Sequence, residues 1–133
     1  MRIAIIDDDR MQQKQLHDMI ADKLTEYGYT GYIINMFESG EAFLEKGFGD
    51  FYDIIVVDIY MGKLTGIELA RKIRSIDEEV RIVFCSSSNE FAAESYELNA
   101  SYYIRKPVSS RQVGLMLKRM NLDVIEKNRK VIL

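Results

Sequence analysis

The sequence has few of the features that mark secreted or membrane-spanning proteins. No apolar run approaches the roughly 20 residues that a membrane-spanning helix needs. The N-terminal run "MRIAIIDDD" passes directly from a short apolar stretch into acids, and it lacks the longer apolar core and the cleavage site of a signal peptide. We therefore expect a cytoplasmic protein that does not associate with membranes.

Cysteine and histidine are also scarce, since the 133 residues contain one of each. Cys85 alone cannot form an intrachain disulfide or a cysteine-rich zinc site, and we interpret it as a small buried apolar residue. His17 lies among polar neighbours in a predicted helix, which favours a surface position over a role as a ligand.

Positive charge is in short supply over most of the chain. Residues 1–110 hold 12 Lys and Arg against 19 Asp and Glu, whereas residues 111–133 hold 6 against 2. A chain that is acidic overall is a poor nucleic-acid binder by bulk electrostatics, so we expect no direct contact between this domain and nucleic acid. We interpret the basic C-terminal segment as the solvated face of a last helix and a connector.

Apolar runs of strand length alternate along the chain with segments of helical periodicity. The strand candidates are Ile3–Ile6, Tyr32–Phe37, Ile54–Val57, Arg81–Cys85 and Tyr102–Ile104. The helix candidates lie near 10–26, 40–46, 66–75, 89–98 and 109–121. Three helix starts carry the spacing of a capping box, namely Thr65 with Glu68, Ser87 with Glu90, and Ser109 with Gln112. Five strand–helix alternations predict an α/β fold with a mostly parallel sheet and helices on both faces.

Acidic residues follow two of the strand candidates directly. Asp7, Asp8 and Asp9 come after "IAII", and Asp58 comes after "IIVV", and such continuous apolar runs are typical of strands buried on both faces. Ligands of an open parallel sheet bind beyond the carboxyl ends of its strands, so the fold places these acids where a site is expected. Asp7–Asp9 could instead simply cap the first helix, as first-turn acids often do.

A cluster of carboxylates at this edge indicates a cation. At about 4 Å and an effective dielectric of about 20, two carboxylates repel each other by roughly 4 kcal/mol, and a cation removes this repulsion. Oxygen ligands without nearby His or Cys favour a hard ion, and a few carboxylates with room for water suit Mg²⁺ better than Ca²⁺. We therefore expect Mg²⁺, or Mn²⁺ in its place, as the cofactor.

Two further polar residues are expected beside these acids. Lys106 follows the fifth strand candidate in "YYIRKPV", and Ser86 follows the fourth in "VFCSSSNE". Beside carboxylates, a lysine is a candidate contact for an anion, because its ammonium is a compact point charge. Acids, a metal ion, a hydroxyl and a lysine around one carboxylate form a site for phosphoryl transfer, with Asp58 as the nucleophile.

Together these residues resemble the receiver domain of two-component response regulators. The resemblance covers about residues 1–121 and rests on the order and spacing of "IIDDD", "VVDIYMGKLTGIE", Ser86 and "KP". It implies a doubly wound, flavodoxin-like (βα)5 fold with the strand order 2-1-3-4-5. It also implies a signalling domain, not an enzyme in the ordinary sense. Such a domain takes a phosphoryl group from a sensor histidine kinase onto Asp58 and catalyses its own phosphorylation and dephosphorylation.

The resemblance implies a metal site at four positions. Asp8, Asp58 and the backbone carbonyl of Tyr60 would bind Mg²⁺ directly, whereas Asp7 would act on the ion, often through water. Tyr60 is a bulky residue at a position that can gate water. Gly62 stands where the family usually has proline, which indicates a more mobile loop after Asp58.

The resemblance also implies a switch. Lys106 would contact the phosphoryl oxygens, and the bond between Lys106 and Pro107 is often cis in the family. Ser86 would be the switch hydroxyl that moves toward the phosphoryl group, and Tyr103 the aromatic switch that follows it. The surface of the fourth helix, fifth strand and fifth helix would then change, and a homodimer through this face is a further expectation.

A more particular pattern, "NEFA…SYELNA…YY…KP", resembles the receivers of LytTR-type transcription regulators. In those proteins a β-rich DNA-binding output domain follows the receiver. Residues 122–133, which end in "NRKVIL", are too few for such a domain. We therefore expect them to be a linker or the start of a truncated output domain, with "KVIL" as its first strand.

Two other functional classes share parts of this pattern. A Mg²⁺-dependent phosphohydrolase with a nucleophilic Asp usually has an acid two residues later, where this chain has Tyr60. A flavodoxin-like nucleotide binder would have a loop rich in Gly, Ser or Thr after the first strand, where this chain has "DDDRMQQ". Both classes are therefore disfavoured, and so is a receiver that has lost phosphorylation, because the set of acids is intact.

Overall fold

The computed structural model describes residues 1–47, 49 and 51–132 as five strands that alternate with helices. The strands are β1 (Arg2–Ile6), β2 (Ile33–Phe37), β3 (Ile54–Asp58), β4 (Arg81–Ser86) and β5 (Tyr102–Arg105). The helices are α1 (Arg10–Glu26), α2 (Gly40–Ala42, continued by a π-helical turn over Phe43–Gly47), α3 (Gly66–Arg74), α4 (Ala92–Glu97), α5 (Ser110–Arg119) and α6 (Leu122–Ile132). Over the described ranges, none of the helices is both long and apolar enough to cross a membrane.

The five strands form one parallel sheet in the order β2-β1-β3-β4-β5, which confirms the predicted topology. The apolar strands β1 and β3 pair in the middle, and Ile3–Ile6 lie opposite Ile54–Val57. The chain leaves β1 toward β2 on one side and returns to β3 on the other. The carboxyl ends of β1 and β3 therefore flank the point at which the strand order reverses, where an open sheet binds its ligands.

Alternate strand residues contribute to two cores, one on each face of the sheet, because side chains of a strand point alternately to opposite faces. On one face, the helical residues of the core come from α1, α5 and α6, namely Leu16, Ile20, Leu24, Val113, Met116, Leu117, Leu122 and Ile125. On the other face, they come from α3 and the turn after α2, namely Phe43, Ile67, Leu69, Ala70 and Ile73. Each fully buried side chain of this size stabilises the fold by about 1.5–3 kcal/mol. The sheet is thus a firmly packed support for the residues at its edge.

The helix α4 is shorter than predicted and begins at Ala92 instead of near residue 89. The boxes at the starts of α3 and α5 are confirmed, but Ser87 and Glu90 do not form one. Among the side chains that the structure describes, none caps the N-terminus of α4. The prediction was wrong because Glu90 has other partners: its N–H donates to Ser88 Oγ, and its carboxylate accepts from the Tyr60 hydroxyl.

Residues 122–132 form a helix, so the strand predicted at "KVIL" is wrong for residues 130–132, whereas the role of this segment as a linker or the start of an output domain stays a prediction. Asn121 takes a left-handed conformation with a φ of 54°, which ends α5 and lets the chain turn into α6. Leu122 and Ile125 of α6 are buried in the core beside α1 and α5. The hydrophobic core therefore extends past the expected boundary, and "KVIL" continues this helix as far as Ile132, since Leu133 lies outside the described residues.

Gly66, the first residue of α3, lies directly against the backbone at the end of β3. A Cβ at Gly66 would lie 2.3 Å from the carbonyl oxygen of Asp58 and 2.8 Å from the Cα of Ile59. Backbone atoms cannot withdraw without moving the strand, so we expect Gly66→Ala to lower the free energy of unfolding by about 1–3 kcal/mol, as overpacking does. Equilibrium unfolding in urea measures this difference.

Gly62→Ala is the matched control for Gly66→Ala, because nothing lies within 4 Å of the Cβ position at Gly62. We expect this variant to be as stable as the wild type or more stable by up to about 1 kcal/mol, because alanine restricts the unfolded chain. Equal unfolding free energies for the two variants would show that the contact with β3 is not tight.

Candidate functional site

Three carboxylates converge at the carboxyl edge of the sheet. Asp7 follows β1 and Asp58 is the last residue of β3, so two adjacent strands present them side by side. One carboxylate oxygen from each of Asp7, Asp8 and Asp58 lies within 4.8 Å of the others. Asp7 and Asp58 are 5% and 7% exposed, whereas Asp8 faces solvent. The predicted metal ligands are thus together, and an all-carboxylate set fits a hard cation such as Mg²⁺.

The three consecutive acids after β1 have two different structural roles. Asp9 caps α1, because its Oδ1 accepts from the backbone N–H groups of Met11 at 2.9 Å and Gln12 at 3.2 Å. Asp7 Oδ1 accepts from the N–H of Asp9 at 2.9 Å, which fixes the start of the loop. Both interpretations of this run therefore hold, capping for Asp9 and the carboxylate cluster for Asp7 and Asp8.

Lys106 reaches the acids from the loop after β5. Its Nζ lies 3.3 Å from Asp58 Oδ2 and 3.5 Å from Asp7 Oδ2, and the side chain is 17% exposed. The N–H of Lys106 donates to the carbonyl of Ser86 at 2.8 Å, which ties this loop to the end of β4. The peptide bond between Lys106 and Pro107 is cis, as the family resemblance implied.

Burial and the charges of neighbouring side chains set the pKa values in the cluster. Burial raises the pKa of Asp58 to about 6 in spite of Lys106, and the neighbouring Asp7 carboxylate adds to the rise. Burial also raises the pKa of Asp7, against the opposing effects of the Asp9 N–H and Lys106. Burial alone would lower the pKa of Lys106, but the two carboxylates outweigh it and the pKa rises. One ammonium thus contacts two buried carboxylates, so the cluster keeps a net negative charge at neutral pH.

The two predicted switch residues meet at one residue of the loop between β4 and α4. Ser86 is the fully buried last residue of β4, and its Oγ accepts from the N–H of Ser88 at 3.1 Å. Tyr103 on β5 is half-buried, and its hydroxyl donates to the carbonyl of Ser88 at 2.5 Å. Both polar groups of the Ser88 backbone are therefore held by the side chains expected to move.

The sequence does not reveal two residues that complete the site. Gln12 Oε1 accepts from Lys106 Nζ at 2.5 Å, across 94 positions of sequence. Glu90 accepts from the hydroxyl of Tyr60, whose ring also packs against Phe91 with centroids 5.6 Å apart. The one available signal is that Gln12 and Glu90 each lie a few residues beyond a strand end, and no spacing rule links them to their partners.

Tyr60 lies beside the carboxylate cluster, since its backbone N–H is 3.3 Å from Asp58 Oδ1 and donates to it. A role of its carbonyl in metal binding stays a prediction. The predictions for Cys85 and His17 agree with the structure. Burial raises the pKa of the Cys85 thiol to about 12, and His17 pairs with Asp18 at the surface.

The raised pKa of Asp58 makes the stability of the metal-free domain depend on pH. The pKa is about 6 in the folded state but near 3.9 in an unfolded chain, so ionisation costs the folded state free energy as the pH rises from about 4 to about 6. Asp58→Asn removes this charge. Without divalent cations, we expect the variant to exceed the wild type in stability by up to about 3 kcal/mol at pH 7.5 and to match it near pH 4.

Urea unfolding in EDTA at several pH values measures this difference. Asp22→Asn is the control for the loss of one negative charge, because Asp22 is an exposed residue of α1 outside the carboxylate cluster. We expect the stability of Asp22→Asn relative to the wild type to change little between the two pH values. A stability difference between Asp58→Asn and the wild type that does not vary with pH would contradict a buried, strained carboxylate.

Comparison with known proteins shows the family to which this chain belongs. Residues 3–118 match the family described as the response regulator receiver domain. The transcriptional regulatory protein LytR of Staphylococcus aureus strain N315 is 33% identical over 114 residues, which cover 85% of this chain and 44% of that protein. The chain spans about half the length of the curated relatives it matches.

Solved structures show the same fold. The response regulatory domain of protein mrkE from Klebsiella pneumoniae superposes with a TM-score of 0.80 and 27% identity, over 92% of this chain and 97% of that chain. The response regulator protein TrrA from Thermotoga maritima, solved in complex with Mg²⁺-BeF, gives a TM-score of 0.76 and 25% identity, over 90% and 97% of the two chains. By the residues it matches and by its fold, this chain belongs to the response regulator receiver domain family.

Proposed function

We propose that this domain accepts a phosphoryl group on Asp58 from the phosphohistidine of a sensor histidine kinase. The observation that carries the proposal is the placement of the buried Asp58 carboxylate, with oxygens of Asp7 and Asp8 within 4.8 Å and the Lys106 ammonium at 3.3 Å. Burying adjacent carboxylates destabilises a fold, and strongly perturbed acids of this kind cluster at functional sites. A site that handles phosphoryl charge accounts for both features.

In the proposed reaction, a carboxylate oxygen of Asp58 attacks the donor phosphorus in line with the P–N bond. The new P–O bond forms as the P–N bond breaks, and the electron pair stays on the donor nitrogen. Asp58 must be ionised to attack, and a pKa of about 6 leaves it largely ionised at neutral pH. The Lys106 ammonium is already in place to contact the incoming oxygens. When water attacks the phosphorus, its oxygen bonds to phosphorus as the P–O bond to Asp58 breaks, which restores the carboxylate and releases inorganic phosphate and a proton. We infer that the domain also catalyses this dephosphorylation.

Mg²⁺, or Mn²⁺, is the proposed cofactor, held by Asp7, Asp8, Asp58 and the backbone carbonyl of Tyr60. Bound there, the ion would offset the charge of the carboxylates and of the phosphoryl oxygens. The composition of the site supports this assignment, because Lys106 offers one positive charge to three converging carboxylates.

The contacts of Ser88 suggest how phosphorylation reaches the surface. A phosphoryl group on Asp58 adds about 1.5–2 negative charges at neutral pH and draws the Ser86 hydroxyl and Lys106 toward it. When Ser86 Oγ turns, it releases the N–H of Ser88. The Ser88 carbonyl is the acceptor for the Tyr103 hydroxyl, so Tyr103 loses its anchor and turns inward. The change is best described as a population shift between two packings.

The proposed partners follow from the relatives of the chain. The LytR proteins are about twice as long, and their names describe transcriptional regulation and sensory transduction. We infer a cytoplasmic regulator in which a LytTR-type DNA-binding output domain follows this receiver. The face formed by α4, β5 and α5 would transmit the switch, since it contains Tyr103 and the strongly exposed Tyr96.

Intact-mass spectrometry tests the acceptor directly. We expect the wild type to gain one phosphoryl group after incubation with acetyl phosphate and Mg²⁺, and to gain none in excess EDTA. Asp58→Asn should remain unmodified, because it lacks the nucleophilic oxygen. Asp7→Asn and Asp8→Asn should react at least tenfold more slowly, because each removes a carboxylate of the metal site.

Asp9→Asn is the matched control for these acids, because asparagine caps a helix as well as aspartate does. We expect it to be phosphorylated like the wild type. A phosphoryl adduct that persists in Asp58→Asn would show that another residue is the acceptor. The proposal would be refuted if the wild type neither bound Mg²⁺ nor gained mass from acetyl phosphate or a phosphorylated kinase. The acid cluster would then have only a structural role.

Dimerisation through the face of α4, β5 and α5 is tested by sedimentation velocity with and without beryllofluoride and Mg²⁺. We expect beryllofluoride to shift the wild type from monomer to dimer. Tyr96 is 86% exposed on α4, so Tyr96→Arg should weaken the dimer, whereas Ile76→Arg, at a 72% exposed residue before β4, should not. A monomer at all concentrations in both states would refute this part of the proposal.

A further inference from the structure

The ammonium of Lys106 has a third oxygen partner besides the two acids. Within the described chain, Nζ lies 3.3 Å from Asp58, 3.5 Å from Asp7 and 2.5 Å from the amide oxygen of Gln12. An ammonium carries three N–H donors, so these three oxygens can satisfy it completely. The shortest of the three contacts is made by an uncharged residue to which neither the motifs nor the family resemblance assigned a role.

The position of Gln12 is set by the start of α1 and not by the lysine. The Asp9 side chain accepts from the backbone N–H of Gln12 at 3.2 Å and so fixes the first turn of the helix. The neighbouring Gln13 amide donates to the carbonyls of Asp7 at 3.3 Å and Phe37 at 2.9 Å, which ties the same turn to the ends of β1 and β2. The Gln12 oxygen is therefore presented from a fixed backbone, across the mouth of the site from the loop that carries Lys106.

Gln12 differs from the two acids in what the reaction demands of it. In the proposed reaction, an oxygen of Asp58 bonds to phosphorus and Asp7 faces the cation. Both carboxylates then have partners other than Lys106. An amide oxygen is a weaker competitor for a hard cation than a carboxylate and carries no charge to repel a phosphoryl group. Gln12 can therefore keep its hydrogen bond to the ammonium throughout.

We propose that Gln12 is a positioning residue for Lys106 and holds its ammonium at the mouth of the site while the carboxylates are engaged. This inference rests on the proposed phosphoryl transfer to Asp58. Gln12 and Lys106 both line a cavity of about 440 Å³ that Asp7 and Asp58 also line, so their hydrogen bond lies beside the acids in the same cavity. Without Gln12, the flexible lysine stem loses its fixed end and the ammonium is free to turn away from the donor.

The test compares Gln12→Met with the wild type. Methionine keeps the length of the side chain but has no oxygen acceptor. The second-order rate constant for phosphorylation by acetyl phosphate, measured by intact mass at saturating Mg²⁺, should fall about tenfold, as expected for the loss of a hydrogen bond to a charged group. Met11→Gln is the control, because Met11 lies in the same turn of α1, is 71% exposed and does not line this cavity, and the variant should react like the wild type.

Two further readouts separate positioning from a general structural effect. In a double-mutant cycle, Gln12→Met should add less than twofold to the loss caused by Lys106→Met, because Gln12 acts through that lysine. The ammonium resonance of Lys106 in ¹⁵N-detected NMR should move in Gln12→Met but not in Met11→Gln. The affinity for Mg²⁺ should stay within twofold of the wild type in both variants.

The outcomes distinguish this inference from the function on which it rests. A phosphorylated wild type with an equally reactive Gln12→Met, or equal losses with and without Lys106, would overturn the role of Gln12 and leave phosphorylation of Asp58 intact. Equal losses in Gln12→Met and Met11→Gln would also overturn it. A wild type that takes no phosphoryl group from any donor would overturn the proposed function, and the role of Gln12 with it.

Discussion

The contact of one ammonium with two buried carboxylates governs the chemistry of this domain. Lys106 lies between Asp58 and Asp7 at 3.3 and 3.5 Å, and all three side chains are largely removed from water. A single positive charge cannot neutralise two negative ones, so Asp58 takes up a proton far more readily than a solvated aspartate, with a pKa of about 6. The cluster therefore carries more negative than positive charge. A cation at the proposed metal site would relieve the repulsion, and the same lysine would then be available for the oxygens of a phosphoryl group.

The fold sustains this unfavourable arrangement because it fixes each member from a different direction. Asp58 is held by the central strand β3, whose apolar residues are buried in both cores. Asp7 is fixed by the turn into α1, and Lys106 by the bond from its N–H to Ser86 at the end of β4. Since these supports are separate, relaxing the repulsion would require several packed elements to move together. Strain of this kind persists where several independent contacts hold the strained groups in place.

Much of this arrangement follows from local patterns in the sequence, and the remainder does not. Continuous apolar runs and the acids after them predict a parallel sheet and the meeting of Asp7 with Asp58, because parallel strands end at a common edge, whereas the strand order was implied by the family resemblance. Helix starts were predictable at Thr65 and Ser109, where the capping partners lie three residues apart. The same spacing failed at Ser87 because Glu90 is bound to Tyr60, a contact across 30 residues that depends on how two loops pack. Gln12 was missed for the same reason.

The loop between β4 and α4 shows how a local charge change can become a change of surface. The loop is tied to β4 through Ser86, to β5 through Tyr103 and to the loop after β3 through the bond between Tyr60 and Glu90. The first two ties end on the same residue, Ser88, so they are coupled through one peptide segment instead of through a long chain of contacts. The two hydrogen bonds at Ser88 are worth about 1 kcal/mol each, and Arg105 of β5 adds a bond from its Nε to the Ser87 carbonyl at 3.1 Å. In the proposed switch, a phosphoryl group that recruits the Ser86 hydroxyl would need to exceed only the small free energy of these bonds to release Tyr103. The adjacent helix α4 is short and has no side-chain cap among the described residues, so it would offer little resistance to a change of this surface.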